Sequence, residues 1–151
     1  MLTKLKSAHA ELLEGIEALG AETRRPEPIE ATLSAARLKL TRASSRRKAL
    51  IEHTIIPSLR ALSPEDARRV EDLRRSAGEI ALESSRHIGS WTMRAILADW
   101  MGYRRASKAM RAAMLRRITE EKAVLYPLLG GRVDGPLAPP AFSPRQPSMS
   151  I

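Results

Sequence analysis

Cysteine is absent from the chain, which excludes disulfides, a thiolate metal site and a cysteine nucleophile, and fits a reducing, cytoplasmic location. Aromatic residues make up only 3% of the sequence, so its core must be aliphatic. Alanine and leucine dominate what remains, a composition that favours helix over strand. No apolar run is long enough to cross a bilayer, and Met1, Leu2 and Thr3 lead into Lys4 and Lys6 rather than into the apolar stretch of a secretory signal. No membrane partner is therefore expected. A glycine-rich phosphate loop is missing, as is a nucleophile with a base at a useful spacing, so an enzyme is not expected. The pair Glu83 and His87, four residues apart, reads as a contact along one helix face.

Positive charge is plentiful. Lys and Arg number 26 against 17 Asp and Glu, a formal net charge of +9, which raises nucleic acid or another anionic surface as a partner class. The cations cluster at Arg42, Arg46, Arg47 and Lys48, and again from Arg104 to Arg117. No aromatics are interleaved with them, so base stacking is unsupported and solvated helix faces are the simpler account. Binding to nucleic acid is expected to be weak and independent of sequence. With 151 residues, 43% of them hydrophobic, the chain is long enough for one core.

Apolar periodicity divides the chain into four helical arms. The first covers about residues 2–20, with the seam Leu2, Leu5, His9, Leu12, Ile16 and Leu19, and Gly20 at its end. The second runs from about 28 to 62 along Leu33, Ala36, Leu40, Ala43, Arg47, then Leu50 with Ile51, and Thr54. Pro57 lacks a backbone donor and should kink or end it. Ser63, Pro64, Glu65 and Asp66 form a helix start: an N-cap, a proline in the first turn, then acids. The third arm follows Val70, Leu73, Ala77, Ile80, Ser84 and His87 and continues to Ala98. Matching arm lengths in an up-and-down arrangement places its turn at residues 99–102 rather than at Gly89. The fourth arm ends at Leu129, with Glu121 and Arg117 at places where core residues are expected. The stretch 46–57 echoes 116–129 in its order of basic, acidic and aliphatic residues before a proline.

The fold expected is all-α, an antiparallel up-down-up-down four-helix bundle over residues 1–129. Residues 130–151, rich in proline and glycine, are expected to be a disordered tail, with a proline-rich docking peptide as the alternative. Each arm would bring a polar residue to one layer: His9, Arg47, His87, and Arg117 with Glu121. Interhelical sites in bundles are built from inward-pointing residues of this kind.

The chain here resembles the hemerythrin-like (HHE cation-binding) domains. The resemblance rests on His9, the Pro57 helix end, His87, the spaced Trp100 and Tyr103, and Glu120 and Glu121 ahead of Leu125, Tyr126, Pro127, Leu128 and Leu129. It implies a four-helix bundle with a di-iron centre, held by one His from helices one and three and by a His with a carboxylate four residues later from helices two and four. His9, His87 and Glu121 match those positions. Arg47 and Arg117 stand where the family has histidines, and Ile51 where it has the helix-two carboxylate, with Glu52 one residue off. Arginine stays protonated and offers no lone pair to iron.

The expected function is accordingly a hemerythrin-like bundle that has lost its di-iron site and acts as a non-enzymatic binding or regulatory module, with a protein or small molecule as partner and no cofactor. In that reading Arg117, with Arg47, replaces the metal's charge and pairs with Glu121. Two alternatives stand beside it. One is residual iron or haem binding through His9 and His87, for oxygen or redox sensing, with Glu121, Glu52 or His53 recruited by a register shift. The other is a basic helical nucleic-acid-binding protein.

Overall fold

The computed structural model describes residues 1–130; of the expected disordered tail Gly130 is helical, and the rest lies outside the described residues. Among the described residues every regular element is helical: α1 (Leu2–Thr23), α2 (Glu30–Leu50), a π-helical turn (Ile51–Ile55), α3 (Ile56–Ser58), α4 (Pro64–Ser90), α5 (Met93–Ala98) and α6 (Trp100–Gly130). No helix is long and apolar enough to cross a membrane.

The α1 seam is buried from Leu5 through His9, Leu12 and Ile16 to Leu19. Gly20 does not end this helix, which runs on to Thr23, whose hydroxyl donates back to the Gly20 carbonyl at 3.0 Å. On α2 the buried positions are Leu33, Ala36, Leu40, Ala43 and Arg47, as the periodicity predicts. Beyond Arg47 the register changes: Ile51 and Ile55 are buried whereas Thr54 is exposed. Pro57 explains this. Its ring clashes with a carbonyl one turn back and it donates no hydrogen bond, so the turn before it widens, and the Ile56 amide reaches back to the Ile51 carbonyl. The wider turn inserts a residue and moves the core stripe from Thr54 to Ile55. The helix stops at Ser58, and Ala61 turns the chain with φ 55°.

The Ser63 hydroxyl caps α4 by accepting from the Asp66 amide at 3.1 Å. The third arm does not continue to Ala98: α4 ends at Ser90, next to Gly89. Gly and Ser are poor helix formers, and Thr92 starts a new helix by accepting from the Ala95 amide at 3.2 Å. The arms do not match in length because the third is bent; α5 folds in and buries Ile96 completely. Asp99 alone separates α5 from α6, and its carboxylate accepts from the Gly102 amide at 2.9 Å. That carboxylate lies where a Cβ at 102 would stand, so a side chain there would have to displace the Asp99 cap.

Helix α1 packs along α2, while α6 packs against α1, α4 and α5. A Cβ at Gly15 would lie 3.1 Å from the Leu40 Cα, so the missing side chain lets α1 and α2 approach closely. The aliphatic core forms two clusters. One includes Leu12, Leu33, Ala43, Tyr103 and Ile118, the other Leu5, Ile51, Leu73 and Leu125. Burying each large side chain contributes about 1.5 to 3 kcal/mol. On α1, α2 and α6 the change from one cluster to the other falls at His9, Arg47 and Glu121 respectively.

Candidate functional site

Between the two aliphatic clusters lies a buried polar layer centred on the Glu121 carboxylate, which is 1% exposed. One carboxylate oxygen accepts from His9 Nε2 at 2.8 Å. The other accepts from Arg47 on α2 and from Arg117 Nε, one turn earlier on α6, at 3.1 Å. The remaining Arg117 donors reach α4, one to the Ser76 hydroxyl and one to the Leu73 carbonyl, each at 2.8 Å. Exposed Glu120 approaches Arg117 at 3.7 Å from the solvent side. A carboxylate that only accepts makes His9 Nε2 the donor, and in the neutral ring Nδ1 then accepts from the Tyr126 hydroxyl at 2.8 Å. Burial alone would raise the Glu121 carboxyl. The His9 hydrogen bond and the charges of Arg47 and Arg117 outweigh it and hold the group below its ordinary value.

Four of the five residues expected in the layer meet there. His87 does not: it lies near the far end of α4, with its ring 6.1 Å from that of Tyr103. Ser76 and the Leu73 carbonyl fill the place on α4. Of the expected α4 seam only Val70 and Leu73 are buried, and eleven residues, roughly 16 Å of helix, separate Ser76 from His87. Burial, and then the nearby Arg37 guanidinium, lower the His87 imidazole below its usual value. Glu52 is half-buried and His53 exposed on the π-helical turn. The register shift on this turn brings Ile55, and neither of them, into the core. Tyr126 was legible only as part of the closing motif, and Ser76 carried no signal in the sequence.

The donor set does not fit the di-iron centre that the resemblance implies. Both Glu121 oxygens and both His9 nitrogens have partners within the layer, and the guanidinium groups beside them cannot ligate a metal. Among the described residues no group of three or more His, Asp or Glu is arranged to hold a metal ion.

Beside the layer a cleft of about 510 Å³ opens between α2 and α4, floored by α6. The stripe Ala77, Ile80, Ser84 and His87 faces this cleft and is half-buried, where Val70 and Leu73 before it are buried in the core. A second concavity, at the end of α1, carries Arg24, Arg104, Arg105, Lys108 and Arg111. There Arg104 and Arg111 donate to the Thr23 carbonyl and hydroxyl at 2.7 and 3.0 Å.

No family model matches the chain, and neither a curated protein nor a solved structure does. Over the described residues, fold and site together define an all-helical chain with a buried His-Arg-Arg-Glu layer and an open cleft beside it.

Proposed function

We propose that the chain is an antiparallel, hemerythrin-like four-helix bundle whose metal centre has been replaced by internal charge, and that it acts as a non-enzymatic binding module. The observation that carries this reading is the saturation of Glu121. Its carboxylate, at a position that matches a family ligand, is taken up by two guanidinium groups at positions that match family histidines. Positive charge from Arg47 and Arg117 does the electrostatic work that a dication pair would do, without a ligand to lose. The cleft beside the layer gives the module a place to bind.

Elemental analysis and an absorption spectrum of protein purified without chelator test the reading. It predicts substoichiometric iron and no haem band. About two irons per chain with an oxo-bridge absorption, as the family resemblance would imply, overturns it, and a haem Soret band would transfer the function to His9 or His87.

A second reading is favoured by the basic concavity formed by Arg24, Arg104, Arg105, Lys108 and Arg111. Such a patch suits nucleic-acid phosphates, with low affinity and no choice of sequence. Titration of duplex DNA at rising salt would separate the two readings: affinity that resists salt, or that selects a sequence, contradicts this second one.

A further inference from the structure

The cleft between α2 and α4 has the composition of a ligand site rather than of a packing gap. Its volume, about 510 Å³, falls in the range of roughly 300 to 1,000 Å³ typical of small-molecule pockets. Between the ends the lining is mostly apolar, from Leu40, Ile80, Ala81, Met110 and Met114, with the hydroxyls of Thr41, Ser44, Ser45, Ser84 and Ser85 among them. Arg37, Arg47, Lys48 and Arg117 also line it, and among the described residues no Asp or Glu does.

The two ends differ. At one end Arg47 and Arg117 share Glu121, so part of their charge is offset, and Arg47 Nε is buried without a hydrogen-bond partner among the described residues. Ten residues along α2, roughly 15 Å, Arg37 marks the other end. Among the described residues no carboxylate forms an ion pair with it. It donates to the Trp91 carbonyl at 2.6 Å, where α4 ends, and its guanidinium lies 5.6 Å from the centre of the Tyr103 ring. Tyr103 is buried and lines the cleft, and its hydroxyl, with Ser107 and Arg37 near enough to act on it, makes no hydrogen bond of ordinary geometry among the described residues. A buried hydroxyl without a partner costs about 1 to 3 kcal/mol. Here it stands beside a guanidinium without an acid. Burial raises the Tyr103 phenol above its ordinary value, so the group keeps its proton and remains able to donate.

We propose that the cleft binds an elongated aliphatic carboxylate, its head held by Arg37 and the Tyr103 hydroxyl and its tail laid along Ile80, Met110 and Met114 toward Arg47. A carboxylate accepts from both donors at once and supplies the negative charge the cleft lacks. The proposal rests on the binding-module reading and names the ligand class for it. His87 lines the same end, next to where the head would lie, and reports on its charge.

The experiment is calorimetric titration of the full chain with dodecanoate below its micelle concentration, with dodecanol as the uncharged control. Dodecanoate is expected to bind one to one, and dodecanol at least about tenfold more weakly, the loss of a charged hydrogen bond. Tyr103→Phe and Arg37→Gln should each weaken dodecanoate by about tenfold and leave dodecanol unchanged. Tyr103→Phe keeps the buried ring, so its melt should match the parent. Dodecanoate, but not dodecanol, should also raise the pH at which the His87 ring titrates in an NMR spectrum. Equal affinity for the two probes, or no binding of dodecanoate by iron-free chain, overturns the carboxylate site while leaving the metal-replacement reading intact. Bound iron overturns that reading, whichever probe binds. An acidic amphipathic peptide that occupies the cleft and is not displaced by dodecanoate would assign it to a protein partner and refute the proposal.

Discussion

Glu121 on α6 accepts a hydrogen bond from His9 on α1 at 2.8 Å with both side chains buried, so a single contact ties the first helix of the chain to the last. The same carboxylate holds Arg47 of α2, and through Arg117 it reaches α4. Removing its charge leaves two buried guanidinium groups less compensated. Glu121→Gln should destabilise the fold by about 3 to 5 kcal/mol, measured by urea denaturation. An unchanged midpoint and slope would show that the layer carries no such dependence.

The same contacts set a direction in pH. The Glu121 carboxyl is held below its ordinary value of 4.5 in the folded chain, so below 4.5 the unfolded chain takes up the proton first. The stability due to this group is fully present above 4.5 and is lost as pH falls through the depressed folded value. Denaturant midpoints should fall with pH on that acid limb, and the fall should be shallower in Glu121→Gln. Parallel limbs for parent and variant would contradict this assignment.

Two glycines should respond to substitution with opposite sign. At Gly15 a Cβ already approaches the Leu40 backbone to 3.1 Å, and the larger Gly15→Val should cost about 1 to 3 kcal/mol by forcing α1 and α2 apart. At Gly78, in the exposed middle of α4, a Cβ meets nothing within 4 Å. Gly78→Ala should stabilise by about 0.5 to 1 kcal/mol through helix propensity alone. Thermal melts of the two variants check both signs.

Asp99 is the single residue between α5 and α6, and its side chain satisfies the Gly102 amide. Asp99→Ala should cost about 0.5 to 2 kcal/mol, and Asp99→Asn much less, since an amide oxygen still caps. Hydrogen exchange at Gly102 should accelerate in the alanine variant only. Equal exchange in all three proteins would place the cap elsewhere.

Helix content, the buried stripes of α1 and α2 and the Ser63 cap with Pro64 after it were legible in the sequence because each depends on residues within a turn or two of one another. Periodicity also singled out His9, Arg47, Arg117 and Glu121, since a polar residue on an apolar stripe is visible without knowing what it faces. The partners were not visible. Ser76 joins Arg117, and His87 is left to the cleft, because α4 passes the layer nearer its beginning than its end, an offset that only packing against α6 determines. The move from Thr54 to Ile55 follows from one widened turn before Pro57, and the bend after Ser90 follows from competition between Thr92 as a cap and a continuous helix. The cleft has the least trace of all: the stripe Ala77, Ile80 and Ser84 reads as core in one dimension, and only the separation of α2 from α4 turns it into the wall of an opening.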